Sequence, residues 1–193
     1  MNKVGVLIEG YAKETENGWV ASSSTVLIES NNKKIVVDPG VNNKRLLERL
    51  TEQNLKIEDI NYVFLTHYHP DHAFLAAIFT NATSFDGDTS YKDDKEGSFL
   101  DFLPDTDIKV VPTPGHAYEH ASLLIPTNEG NVVVAGDVFW WTDEEKQKTD
   151  KESLLSHNDP YVKNVKELLE SRKKLLEIAD YIIPGHGKMF EVK

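Results

Sequence analysis

Along most of this chain the apolar residues come in short β-branched runs that break at glycine or proline, and only two long stretches carry helical spacing. Ile35-Val36-Val37, Tyr62-Val63-Phe64-Leu65, Ile108 to Val111, Val132 to Ala135 and Ile182-Ile183 are all strand-length and bounded by turn residues. The pattern predicts strands near 3–10, 20–29, 34–38, 60–66, 82–85, 108–112, 120–125 and 131–136, with another at 181–183. A helix is expected near 42–54, where Leu46, Leu47 and Leu50 share a face, and another over 70–80 behind Pro70. The longest helix falls near 161–179, with Val165, Leu168, Leu169, Arg172, Leu175, Leu176 and Ala179 in one stripe suited to packing on a sheet. Blocks of strands with few helices between them imply two packed sheets with helices outside, an α+β fold built as a four-layer αβ/βα sandwich.

Three segments, 11–19, 86–106 and 140–160, follow neither period and are expected to be irregular; substrate choice would live there. No repeat or linker divides the 193 residues, so a single domain over 1–193 is expected. A net charge of −11 argues against a broad nucleic-acid-binding surface, although a local groove is compatible with it. The chain has no cysteine, no secretory pattern at its start and no apolar run long enough for a membrane span. These features suit a cytoplasmic protein without membrane contact, and any metal site must use His and Asp. A homodimer is compatible with the sequence.

That constraint directs attention to residues 66–73, Thr-His-Tyr-His-Pro-Asp-His-Ala, which follow the strand at Tyr62. In an extended backbone His67 and His69 point to the same side. Pro70 then stops the strand and starts a helical turn, so Asp71 and His72 project from a new direction. The peptide can serve two neighbouring metals. Three other strands run into Pro or Gly beside a ligand-type side chain: Thr113-Pro114-Gly115-His116, Gly136-Asp137 and Pro184-Gly185-His186-Gly187. Glycine at such breaks lets backbone approach a crowded site. Asp38, in Asp38-Pro39-Gly40, is either a turn residue or a group that orients a ligand histidine.

The ordered set of Asp38, His67-x-His69-x-Asp71-His72, His116, Asp137 and His186 resembles the metallo-β-lactamase superfamily over essentially the whole chain. The resemblance implies that fold and a metal-dependent hydrolase. It implies that His67, His69 and His116 hold the first metal, that Asp71, His72 and His186 hold the second, and that Asp137 bridges them. A shared hydroxide would complete both shells, with Asp71 and Asp137 as the catalytic carboxylates that tune it. Two zinc ions are the expected cofactors, with iron or manganese as alternatives.

Several branches of the superfamily are disfavoured. Zinc β-lactamases are usually exported, and the seven residues after His186 leave no room for the helical domain of glyoxalase II proteins. His69 stands where flavodiiron proteins carry Glu. Val6 to Ala12, Val134 to Phe139 and Ala179 to Gly187 are most similar to metallo-β-lactamase domain-containing protein 1 and its microbial relatives, whose human member resembles RNA-processing nucleases in activity. The expected substrate is therefore a phosphodiester such as RNA. The alternatives are a lactone or thioester, or a persulfide oxidised at a single iron; the partner is a small-molecule or nucleic-acid substrate.

Trp140 and Trp141 are expected either to wall a pocket or to anchor their loop, with anchoring favoured. Trp19 closes the first irregular segment. His157 reads as an ordinary loop histidine and His120 as a group behind the metal ligands, while Tyr118 and Tyr161 have the chemistry of an acid or oxyanion group.

Overall fold

In β-strands successive side chains face opposite sides, and the buried runs here use both. Ile35 and Val37 join one apolar cluster while Val36 joins a second. Val132 and Val134 join the first while Val133 and Ala135 join a third. Strands apolar on both faces require cover on both faces, and that requirement makes the layers.

The computed structural model describes all residues 1–193. In its first half the elements are β1 (Lys3–Ile8), β2 (Tyr11–Thr15), β3 (Gly18–Ser22), β4 (Thr25–Ser30), β5 (Lys33–Val37), α1 (Asn43–Glu52), β6 (Tyr62–Phe64), α2 (Pro70–Ala73), β7 (Thr83–Phe85), β8 (Thr89–Lys92) and β9 (Lys95–Ser98). The second half adds β10 (Lys109–Pro112), β11 (Ala121–Thr127), β12 (Gly130–Trp140), α3 (Lys151–Ser156), α4 (Val165–Ile178), β13 (Tyr181–His186) and β14 (Phe190–Glu191). One sheet runs β1-β4-β5-β6-β7-β8-β9 and the other β10-β11-β12-β13-β14, with β2-β3 as a separate hairpin.

The first cluster lies between the sheets, where Val26, Ile28, Ile35 and Phe64 meet Leu123, Ile125, Val134 and Ile183. The second packs Leu46 and Leu50 of α1 against Leu27, Val36 and Val63. The third packs Leu168 and Leu175 of α4 against Val133, Phe139 and Ile182. The architecture is thus helix, sheet, sheet, helix, the expected sandwich. No helix is long and apolar enough to cross a membrane.

The boundaries differ from expectation in ways that bear on the site. The segment 20–29 is not one strand, because Ser23 and Ser24 break it. Both are buried, and their N–H groups donate to the carbonyls of Asp71 and Gly185 at 2.9 and 2.7 Å. Those bonds tie two ligand-bearing loops together. The helix over 70–80 is only one α-turn, continued by a 3-10 turn over Phe74–Ile78. β12 runs past Asp137 to Trp140, with its register to β13 shifting on either side of Gly136. Residues 11–19, 86–106 and 140–160 are not wholly irregular, since they contain most of the β2-β3 hairpin, the β8-β9 hairpin and α3.

Candidate metal centre

Four segments at one end of the two sheets bring every expected ligand together: the turn after β6, the turn after β10, and the ends of β12 and β13. His67, His69, His116 and Asp137 form one group and Asp71, His72 and His186 another, with donor atoms within 4.8 Å of one another in each. Asp137 stands between them. Its Oδ2 lies 3.3 Å from His116 Nε2 and 3.8 Å from His67 Nε2, whereas its Oδ1 lies 3.2 Å from His72 Nε2 and 3.7 Å from His186 Nε2. One carboxylate therefore presents one oxygen to each group.

The local backbone explains the placement. Pro70 takes the first helical position of α2 and His69 keeps extended angles before it, so the chain turns between His69 and Asp71 as its residue types require. Gly136 has φ of +52°, and a Cβ there would stand 2.7 Å from both His120 Nε2 and the Thr66 hydroxyl. A side chain at Gly185 would overlap Asp137 Oδ1. Glycine at both positions lets β12 and β13 close around Asp137.

Four of the five histidines tie one ring nitrogen to a group behind them and turn the other inward. His72 Nδ1 meets Asp38 Oδ2 at 2.8 Å, and His116 Nδ1 meets Asp159 Oδ2 at 2.7 Å. His186 Nδ1 donates to the Tyr11 carbonyl at 3.1 Å. The Thr66 hydroxyl donates to Asp38 Oδ2 at 2.7 Å, which leaves it accepting from His67 Nδ1 at 3.0 Å. His69 instead turns Nδ1 inward, facing His116 Nε2 at 3.1 Å. Such outer partners select the tautomer that frees a nitrogen lone pair for a metal.

The inward atoms are poorly satisfied without a cation. His67 Nε2, His72 Nε2 and Asp137 Oδ1 are buried and make no hydrogen bond; His72 and Asp137 approach at the wrong angle for one. Orphaned buried polar atoms are costly, and a cluster of lone pairs aimed at common points is what a divalent ion satisfies. The residues present fit such ions.

Protonation states agree with that fit. Burial pushes His67 well below its ordinary pKa, reinforced by His72, and burial also lowers His69. Burial alone would raise the Asp137 carboxyl, but His72 and His186 beside it hold it well below the usual carboxylate range. Burial opposes charge on His72 too, yet Asp137 and Asp38 outweigh it and raise that ring. Metal binding needs neutral imidazoles beside ionised carboxylates: His67, His69 and Asp137 already hold those states, whereas His72 must give up a proton to a binding cation.

Asp38 is the orienting group, not a plain turn residue. His120 stands behind the ligands: burial lowers it to about 3, Thr113 meets its Nδ1 at 2.9 Å, and Nε2 accepts from the Asp137 N–H at 3.2 Å. His157 donates to the Trp140 carbonyl at 2.7 Å and is structural. The tryptophan pair divides: Trp141 belongs to the cluster under α4, while Trp140 lines a cavity over the metal ligands. That cavity, of about 410 Å³, is also lined by Trp19, Val41 and Tyr161, and Tyr118 lies outside it. Asp159 was missed by sequence reasoning, because Asn158-Asp159-Pro160 reads locally as a turn. Only its distance from a strand end and its place before α4 could have marked it.

The sequence model of the Metallo-beta-lactamase superfamily matches residues 18–98. The chain is 32% identical to Metallo-beta-lactamase domain-containing protein 1 of Xenopus laevis, over 99% of this chain and 82% of that one. It is also 32% identical to an archaeal protein of Methanocaldococcus jannaschii, described as a candidate metallo-hydrolase, over 79% of this chain and 70% of that one. Among solved structures, a candidate metallo-beta-lactamase of Thermotoga maritima superposes with a TM-score of 0.70 at 22% identity, covering 98% of this chain and 99% of that one.

Proposed function

The chain belongs to the metallo-β-lactamase superfamily and is a metallohydrolase, and from that premise we propose that it uses two zinc ions to hydrolyse an ester bond in a small substrate. The observation that carries the dinuclear reading is the division of Asp137, one oxygen toward each donor group. His67, His69 and His116 would hold one ion, Asp71, His72 and His186 the other, and Asp137 both. When bound, the pair would polarise the scissile oxygen and provide a hydroxide nucleophile near neutral pH. Manganese suits five imidazoles less well than zinc, while iron suits them too and is separated from zinc by metal analysis.

The protein's own contribution is position and charge. Asp38, Thr66, Asp159 and Tyr11 fix four imidazoles in the tautomers that face inward. Asp71, partly exposed at the cavity edge with Oδ2 3.2 Å from His186, and the buried Asp137 are the two carboxylates of the set. They anchor cations while moderating their Lewis acidity.

Two ester classes compete for this site. A phosphodiester such as RNA follows from the sequence resemblance. A carbonyl ester, lactone or thioester follows from the cavity, whose lining includes no lysine or arginine to meet a polyanion. The cavity and the net charge of −11 together favour the carbonyl ester.

Metal analysis and a substrate panel test both parts. Purified protein should carry two zinc per chain and turn over a lactone or thioester faster than a short RNA or a bis-aryl phosphate. One iron per chain, with oxygen consumed on addition of a persulfide, would replace the reading with an oxygenase. Asp137→Ala should lose both metals and all turnover.

A further inference from the structure

We infer that Trp19, Tyr161 and Trp140 form an aromatic wall that seats an uncharged apolar chain or ring of the substrate, making chain length the specificity determinant. The inference rests on the ester-hydrolase reading above. Three rings run in series from the ligand His186: Trp140 lies 6.0 Å from it, Tyr161 5.9 Å from Trp140, and Trp19 6.5 Å from Tyr161. They come from separate parts of the chain, the end of β12, the segment before α4 and β3 of the hairpin, and converge on the one cavity above the donor groups.

Trp19 and Tyr161 are 43% and 44% exposed, so each keeps much of an apolar face in water. Ala12, Ala21, Val41 and Pro70 add apolar surface to the lining, and its only carboxylates, Asp71 and Asp137, belong to the donor groups. A cavity with charged groups confined to its floor and aromatic rings on its wall divides a substrate by polarity. The reacting carbonyl goes to the floor and the apolar substituent to the wall. In the hydrolysis, water oxygen bonds to the carbonyl carbon, the C–O bond to the leaving alcohol breaks, and the proton released from water passes to the departing alkoxide.

A series of γ-lactones with side chains from methyl to octyl tests this. Each methylene withdrawn from water should raise kcat/KM about fourfold until the wall is covered. Trp19→Ala and Tyr161→Ala should flatten that dependence, Trp19→Phe should restore much of it, and Tyr118→Ala, outside the cavity, should keep it. Octanoate should shift the tryptophan emission of the wild type to shorter wavelength, where acetate should not, and the shift should shrink in Trp19→Ala. Zinc should remain at two per chain in every variant. Turnover without chain-length dependence in the wild type, or no emission shift with octanoate, would overturn the aromatic wall. An emission shift with octanoate without turnover of any lactone would instead overturn the ester reading and leave the wall standing.

Discussion

Two buried carboxylates stand behind this site, and they do different amounts of work. Asp38, at the end of β5 in the larger sheet, meets His72 directly and reaches His67 through the Thr66 hydroxyl. It also accepts the Thr66 N–H at 2.8 Å, so one side chain supports a ligand in each donor group. Asp159, in the connection ahead of α4, meets His116 alone and is otherwise engaged with the Tyr161 N–H at 2.9 Å. A carboxylate at a strand end inherits the rigidity of the sheet. One in a connection must borrow it, and Asp159 borrows from Arg172. That buried guanidinium donates to the carbonyls of Val138 and His157 at 3.0 and 2.6 Å, pinning the connection to β12.

The difference is largest for Asp38→Ala. It orphans Thr66 and His72 and disorients ligands of both groups, so both zinc ions should bind about 100-fold more weakly. The metal-free protein should lose about 3 kcal/mol in urea unfolding, as buried groups lose their partners. Equal loss from Asp159→Ala would erase the distinction. That variant should instead weaken one zinc about 10–100-fold and leave the other near wild type, read by competition with a chelator.

Acid sharpens the same contrast. His72 is raised by its carboxylates, so a proton competes for its nitrogen at higher pH than for His67 or His69, which burial lowers. As pH falls, zinc should leave the group containing His72 first, in two resolvable steps of a metal-release titration. Asp38→Asn should bring the steps closer, because it removes one of the charges that raises His72. The smallest effect should come from Arg172→Lys, which keeps a charge but loses the paired contacts. Its zinc affinity at the His116 group should fall less than tenfold, with unfolding easier by about 1–2 kcal/mol.

Much of this was legible in the chain, for local reasons. The run from His67 to His72 carries its own geometry, since alternation aligns His67 with His69 and Pro70 turns the chain before Asp71. Gly136, Gly185 and the strand runs before them marked Asp137 and His186. The stripe of α4 foretold its packing on β12. What escaped was non-local. Asp159 reaches His116 only because the connection ahead of α4 folds back behind that ring, and no spacing records that. The β2-β3 hairpin was read as irregular because Glu14, Trp19 and Val20 are all exposed, so no apolar alternation betrays it. Asn17-Gly18, where the turn hands over to β3, is the available signal.

The hairpin joins two events that chemistry would treat as separate. Tyr11 at its base holds His186, while Trp19 near its turn lines the cavity. Under the proposed reading, a substrate that restrains Trp19 would also restrain the backbone that orients His186, so substrate and metal affinities would share one coupling free energy. Reciprocity would then set the terms: whatever factor a bound substrate added to metal retention, the metal would return to substrate affinity.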